Sequence, residues 1–174
     1  MHKRGLAVLA AAAMIAVVAS CGGDSTTTTQ PNSTSNLVTF TATLKSSSEV
    51  PPNNSTATGT FTATLDTGTN ILTWDITFTG LTGNATAGHI HGPGTVTQAV
   101  GTTINFFTAP GATITSNAVT GTGHGSMLLN ASTAVTTTIN GDSLKKLLFA
   151  GLTYANIHTA ANPGGEIRGQ IAKQ

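Results

Sequence analysis

Charged side chains are scarce in this chain of 174 residues, since Asp, Glu, Lys and Arg together make up 7% of it, against about 25% in an average soluble protein. Seven basic and six acidic side chains leave a formal net charge of +1. A nucleic-acid-binding domain needs a clustered basic surface, and the sequence has no run of Lys and Arg that could build one. We therefore expect no nucleic-acid partner, and solubility must rest on threonine, serine and asparagine.

Cysteine and enzyme motifs are equally scarce. Cys21 is the only cysteine, so an internal disulfide is excluded and the fold must be held by packing alone. The sequence has no phosphate-binding loop and no paired acidic motif, and Ser126 lacks the flanking residues of a nucleophile elbow. An enzymatic activity would have to depend on the histidines, so we favour a non-enzymatic protein and leave catalysis open.

The amino terminus has the composition of an export signal. Two basic residues precede an apolar run over 6–19, and small residues then lead directly to Cys21. This order is typical of a secretory signal peptide, and the run is too short for a permanent membrane span. The residues before Cys21 also resemble a bacterial lipobox, in which the chain is cut before a lipidated cysteine. We therefore predict a lipoprotein signal peptide over 1–20, a lipid anchor on Cys21 and export to the cell envelope, at the outer membrane or the cell surface.

The rest of the chain divides in two at a change of composition. Residues 21–36 are rich in Thr, Ser and Asn and contain almost nothing apolar to bury. This composition predicts a disordered tether that follows the lipidated Cys21 and holds the domain away from the membrane. Residues 37–174 are numerous enough for one ordinary domain with a single core.

Strand signals dominate that domain. Over 37–44 apolar residues alternate with threonines, which is typical of a half-buried strand. A helix is predicted over 140–150, where leucines recur at helical spacing, with Asp142 or Ser143 as its cap and Gly151 as its end. The fold class is therefore all-β, as an antiparallel β-sandwich or barrel with Greek-key-like crossings and one short helix. Further strands are predicted over 57–65, 72–78, 87–91, 96–100, 103–108, 112–120, 121–129, 152–159 and 166–172.

The histidines form the strongest candidate site. Residues i and i+2 of a strand point to the same side, so His89 and His91 project together while Ile90 points to the opposite face. Two imidazoles on one strand can share a first-row metal ion, and His158 could supply a third ligand if its strand lies nearby. A site of this type would suit copper or zinc.

A structural role is the alternative for the same histidines. A histidine can hold strand ends together by donating to backbone carbonyls, and Glu166 with Arg168 can form a structural ion pair on one strand face beside it. His124 and Glu49 are outside candidates for additional metal ligands. The sequence leaves the metal site and the structural cluster both open, and it assigns no residue as catalytic.

Five motifs, taken in order, resemble the CHRD domain, the module named after chordin. The resemblance extends over about 37–171 and implies a fold and a compartment rather than a reaction. Chordin is an extracellular antagonist that binds growth factors, whereas bacterial members are mostly secreted or lipid-anchored single domains. This chain lacks the cysteine-rich repeats that accompany the domain in chordin, so growth-factor binding is not implied. The motifs are Glu49-Val50-Pro51-Pro52, Gly59, His89-Ile90-His91-Gly92-Pro93, Tyr154-Ala155-Asn156-Ile157-His158-Thr159 and Pro163-Gly164-Gly165-Glu166-Ile167-Arg168-Gly169-Gln170.

Three functions follow as expectations. The first is an envelope-anchored binding or structural module that binds a transition metal through the His89–His91 strand. The second is a metalloenzyme, because that strand is similar to the His-x-His strand of Cu/Zn superoxide dismutases; the additional ligands of their bridged zinc have no counterpart here. The third is a cell-surface adhesion module, whose Thr-rich strand faces meet an extracellular protein or matrix partner.

Overall fold

The computed structural model describes residues 36–115 and 117–174. The predicted signal peptide over 1–20, the lipidation site Cys21 and nearly all of the predicted tether over 21–36 lie outside the described residues. Within the described ranges, no helix is both long enough and apolar enough to cross a membrane.

The described residues form ten strands, one short α-helix and one 3₁₀ turn, Ser46–Ser48. The helix is α1 (Gly141–Phe149). The strands are β1 (Leu37–Lys45), β2 (Thr58–Asp66), β3 (Ile71–Thr79), β4 (Ala85–His91), β5 (Thr102–Asn105), β6 (Thr113–Ile114), β7 (Gly121–Leu128), β8 (Tyr154–Thr159), β9 (Ile167–Gln170) and β10 (Ala172–Lys173).

These strands make one antiparallel sheet that curves into a half-barrel. The strand order is β5-β4-β8-β9-β1-β2-β3-β7-β6, and β10 pairs with β1. Four neighbouring pairs are not consecutive in the chain, namely β4 with β8, β9 with β1, β3 with β7 and β10 with β1. The prediction of an antiparallel all-β fold with crossings and one short helix is therefore confirmed, in its barrel-like form.

The inner face of the sheet holds the hydrophobic core. Strict alternation in β1, β2 and β3 sends every second side chain inward, because successive residues of a strand point to opposite faces. Trp74 and Phe61 each pack against Phe106, with ring centroids 6.2 and 6.1 Å apart. Trp74 is 1% exposed, as expected of a core residue. Gly125 lies opposite it, where an added Cβ would come within 2.3 Å of the indole ring.

The helix begins and ends close to the predicted residues, but its cap is different. The side chain of Asn140 accepts a hydrogen bond from the backbone N–H of Ser143, so Asn140 is the N-cap and the predicted caps Asp142 and Ser143 are wrong. Asparagine is as good at this position as either of them, since its side-chain oxygen reaches the free N–H groups of the first turn. Gly151 ends the helix with a positive φ of 66°, as predicted.

Three predicted strands are shortened or absent. Residues 96–100 form a turn in which the N–H and hydroxyl of Thr95 both donate to the side-chain oxygen of Gln98. Of 103–108 and 112–120, only β5 and β6 are strands. Threonine and valine gave these segments a strand-like composition, but a strand also needs a partner along its whole length, and that depends on distant residues.

Candidate metal centre

Two neighbouring strands bring the three predicted histidines together. β4 pairs with β8 so that His89 faces Asn156, His91 faces Tyr154 and Ala87 faces His158. The histidines, Tyr154 and Asn156 lie on the outer face of the sheet, because the residues that alternate with them, Ile90, Ala155 and Ile157, belong to the core. One ligand nitrogen from each of His89, His91 and His158 can be chosen so that all three lie within 4.8 Å of one another.

Backbone carbonyls hold two of the imidazoles in a defined tautomer. Nδ1 of His91 lies 2.7 Å from the carbonyl oxygen of Val100, and Nδ1 of His158 lies 3.0 Å from that of Pro163. A carbonyl oxygen only accepts, so each Nδ1 carries the proton and donates it. The lone pair of each ring is therefore on Nε2, which points into the cluster. Proteins orient metal-ligating histidines in this way.

The side-chain oxygen of Asn156 completes a group of four converging donor atoms. Asn156 Oδ1 lies 3.1 Å from Nε2 of His91 and 3.0 Å from Nε2 of His158. Nδ1 of His89 lies 3.0 Å from the same His158 nitrogen. Ligands of one tetrahedral zinc ion, each about 2.0–2.1 Å from the metal, lie about 3.3 Å apart. The three contact distances are close to that spacing, and the ligand nitrogens of the three histidines all lie within 4.8 Å of one another.

The sequence analysis included Asn156 in a family motif but did not assign it as a metal ligand. The available signal was its position two residues before His158, which puts both side chains on one face of β8. Sequence alone could not show that this face also meets β4.

Burial keeps the three imidazoles neutral near neutral pH. Burial, reinforced by the neighbouring His158 and His91, lowers the pKa of His89 to about 4. Burial also lowers the pKa of His91, against the opposing effect of its hydrogen bond to Val100, and that of His158, against its bond to Pro163. A neutral imidazole has a free lone pair, so the cluster is ready to coordinate a metal ion without first losing protons.

A stack of three side chains fixes the orientation of His91. Its ring lies parallel to that of Tyr154, with a centroid distance of 4.7 Å and an interplanar angle of 4°. The guanidinium of Arg168 lies 3.4 Å from the centroid of the same Tyr154 ring. His91 comes from β4 and Arg168 from β9, the two strands that flank β8, so the two side chains cover Tyr154 from opposite sides.

The two outside candidates occupy different places. His124 lies on β7, where its Nδ1 is 2.8 Å from the carboxylate of Asp75 and both side chains are more than half exposed. It is therefore far across the sheet from the cluster and is not one of its ligands. Glu49 is 5% exposed and bonds the side chain of Asn156. It adjoins the cluster without belonging to the group of close ligand atoms.

The predicted ion pair between Glu166 and Arg168 is replaced by two separate sets of partners. Glu166 accepts from the hydroxyls of Ser55, Thr82 and Thr159 at 2.6–2.8 Å and from the backbone N–H of Thr82 at 2.7 Å. Arg168 instead donates to the carbonyl oxygen of Thr95 at 2.8 Å and covers Tyr154. Strand alternation predicts only which residues of one strand share a face. It could not predict that the loop residues around Ser55 and Thr82 would contact Glu166.

Comparison with known proteins bears directly on this fold. A search of curated proteins and a search of solved structures found no match. The family model of the CHRD domain matches residues 40–171, which includes most of β1, all of β2 to β9 and the three clustered histidines. The match covers most of the chain and agrees with the motifs read from the sequence, so the chain belongs to the CHRD domain family.

Proposed function

We propose that this CHRD domain is a binding module that holds one zinc or copper ion through His89, His91 and His158, with Asn156 as a fourth ligand. The observation that carries the proposal is the pair of carbonyl bonds at His91 and His158, which leaves both Nε2 lone pairs directed at one point. Imidazole nitrogen is a preferred ligand of both metals. An ion at that point would convert facing lone pairs from a repulsive arrangement into a bonded one.

A purely structural hydrogen-bond cluster explains the same atoms less well. If no metal is present, Nε2 of His158 can accept from Nδ1 of His89, but Nε2 of His91 also needs a donor, and the atom that faces it is the amide oxygen of Asn156. Turning the amide over would supply donors. In the orientation described, the amide nitrogen of Asn156 is on the side of Glu49, where its hydrogen bond lowers the pKa of that carboxyl group. This interaction supports the orientation with the oxygen towards the histidines when Glu49 is ionised.

The test is metal content followed by calorimetric titration with zinc and with copper. We expect close to one ion per chain in the wild type and none in His89→Ala/His91→Ala. His124→Ala is the matched control, since it removes a histidine from the same sheet outside the cluster, and it should bind like the wild type. A double variant that binds as well as the wild type, or a wild type with no metal above background, would make the histidines part of the scaffold.

Redox catalysis is a second candidate for the same cluster. His89 is only partly buried while His91 and His158 are 7% and 8% exposed, so an approach to the metal from one side is favoured. Copper-loaded wild type and the copper-loaded control His124→Ala should then dismutate superoxide faster than His89→Ala carrying an equal amount of copper. If the dismutation rate depends only on the amount of copper present, whichever variant is used, the cluster is not a catalytic site and metal binding remains the proposed function.

Adhesion is a third candidate, supported by a row of threonines on the outer face. Thr43, Thr60, Thr77 and Thr122 lie side by side on four adjacent strands, and all are exposed. Such a row suits an uncharged, hydroxyl-rich matrix. Binding to matrix polysaccharide should survive loss of the three histidines and be lost in Thr60→Lys, which places a long charged side chain in the middle of the row.

We propose that the domain works at the cell envelope, held there by lipid on Cys21. The support is the signal-like amino terminus with its cysteine placed directly after small residues. Cys21→Ser should move the protein from the membrane fraction to the soluble fraction without changing metal content. Unchanged membrane association of that variant would contradict the lipid anchor.

A further inference from the structure

A cavity of about 460 Å³ lies beside the histidine cluster, on the side of the Tyr154 ring that faces Arg168. Its volume falls in the range of small-molecule sites, about 300–1,000 Å³. Its lining combines apolar and polar side chains. The residues that matter here are Glu49, Val50, Pro52, Val96, Arg168 and Gln170.

Arg168 is the positively charged residue that lines this cavity. The side chain is 2% exposed, and no carboxylate of the described residues forms an ion pair with it. Its one hydrogen bond within those residues runs from Nη2 to the carbonyl oxygen of Thr95. Arginine stays charged in proteins, and the remaining N–H groups of Arg168 have no acceptor within the described residues, although they are not sealed from solvent. They can therefore donate to a ligand in the cavity, and an anionic ligand would form the stronger, charge-assisted bonds.

Neither of the nearest polar groups supplies that anion. Glu49 attracts Arg168 electrostatically, but it lies beyond ion-pair contact, and its Oε1 atom is buried without a hydrogen-bond partner in the described chain. Gln170 uses its amide N–H groups on the carbonyls of Gly94 and Gly151, and its oxygen is likewise left without a partner. Both unpartnered atoms are acceptors, and neither accepts a hydrogen bond from Arg168 within the described residues.

The apolar residues of the lining favour one kind of anion. Val50 and Pro52 lie on one loop and Val96 on another, and Val96 is 63% exposed at the mouth of the cavity. Aliphatic surface next to an arginine favours a ligand with an apolar body and one planar anionic group. A carboxylate matches the guanidinium fork with two parallel hydrogen bonds. We propose that this cavity binds a small organic carboxylate, with its carboxyl group on Arg168 and its apolar part against Val50, Pro52 and Val96.

The test compares acids with their neutral amides of the same shape. Benzoate and hexanoate are titrated into the protein while backbone NMR signals are followed, with benzamide and hexanamide as the matched ligands. We expect the acids to shift signals around Arg168 and Val96, and the amides to bind about ten- to a hundred-fold more weakly, because they lack a charge-assisted bond. Amides that bind as well as the acids, or acids that do not bind at millimolar concentration, would overturn the proposal. Equal competition by inorganic phosphate would overturn the choice of a carboxylate.

Two variants locate the site without disturbing the Tyr154 stack. Val96→Glu places a negative charge at the mouth of the cavity and should weaken acid binding severalfold. Val119→Glu puts the same charge on another exposed valine, 46% exposed and outside the cavity, and should leave binding unchanged. Identical effects of the two variants would contradict the assignment.

One further comparison tests whether acid binding depends on the proposed metal site. Acid binding should persist in His89→Ala/His91→Ala and in chelator-treated wild type. Loss of acid binding in both would mean that the carboxylate binds the metal instead of Arg168. Failure of the metal proposal alone leaves the expected acid binding unchanged.

Discussion

The outer face of the sheet differs sharply between its two halves. On β1, β2 and β3 this face is open to water and carries mostly threonine, with pairs such as Thr60 and Thr77 joined by hydroxyl groups 2.8 Å apart. On β8 every residue is buried. The two halves form one continuous face, since Arg168 of β9 lies opposite Lys45 of β1 in register. The difference is therefore made by what covers the face, and not by the strands themselves.

Two loops cover the half of the outer face around β8, which we call the covered half. The first loop lies between β1 and β2, and the second between β4 and β5. Asn53 from the first loop donates to the backbone of Gly165 and Glu166, and Gly94 from the second donates its N–H to the carbonyl of Leu152. Covering a polar face removes water from it, so each polar group must find a partner within the protein or bind something else. Water satisfies the polar groups of an exposed strand face. The polar groups of a face covered by loops need other partners, so such a face can become a binding site.

Shifted pKa values follow the same division. Those of the three clustered histidines and of Glu49, Glu166 and Arg168 all depart from their ordinary values in the covered half. In the open half Asp66 has a lowered pKa, and the cause is local, because the backbone N–H groups of Gly68 and Thr69 in its own turn donate to it. The covered half is thus where long-range contacts perturb ionisation.

The inner face, which both halves share, should be the most sensitive to substitution. Phe61 is 0% exposed, and Phe61→Ala should lower the free energy of unfolding by about 3–5 kcal/mol, because it leaves a cavity in the core. Urea denaturation measures the loss. Metal affinity of the folded protein should stay unchanged, and a parallel loss of metal affinity would show that core and site are not separable.

Removing a charge from the covered half should stabilise the protein. Burial raises the pKa of Glu49 to about 7, against the opposing effect of Arg168. An acid with a raised pKa in the folded state destabilises it once ionised; this cost is absent below pH 4.5, grows up to pH 7 and is constant above. Glu49→Gln should therefore raise the free energy of unfolding by up to about 3 kcal/mol above pH 7, and by nothing below 4.5. Denaturation as a function of pH checks this, and an equal effect at all pH values would refute the cause.

Glu166 should show the opposite sign. Burial by itself raises its pKa, but hydrogen bonds from Ser55, Thr159 and Thr82 outweigh burial and hold the pKa below its ordinary value of 4.5. The stability that the carboxylate contributes is present above pH 4.5 and lost as the pH falls through the lowered value. We expect Glu166→Gln to cost about 2 kcal/mol near neutral pH and much less in acid, measured by denaturation at both pH values. A cost that does not change with pH would point to lost packing.

The open half should tolerate change best. Thr62 is exposed on β2, and Thr62→Ala should alter the free energy of unfolding by no more than about 0.5 kcal/mol. The matched change in the covered half is Thr159→Ala, which removes a buried hydroxyl 2.6 Å from Glu166. Similar thermal denaturation of the two variants would abolish the distinction between the halves.

Strands with a solvated face were predictable from the sequence, and the site was predictable only in part. The alternation of β1 to β3 is visible within nine residues each, and the spacing of His89 and His91 is equally local. The segment over 96–100 has the same composition but forms a turn, because no strand lies beside it. Its backbone serves the site instead, with the carbonyl of Val100 bonding His91.

The sequence by itself determined the class of fold, the inner face of the long strands and the shared direction of His89 and His91, because each depends on the two-residue period of a strand. Only the tertiary structure decided that β8 lies beside β4, which brings His158 and Asn156 to the cluster from 65 to 69 residues away. It also decided that loops cover this half, that Arg168 lies in a cavity and that Glu166 bonds hydroxyls. These features depend on the pairing of distant strands and on the exclusion of water, and no local period of the sequence encodes either.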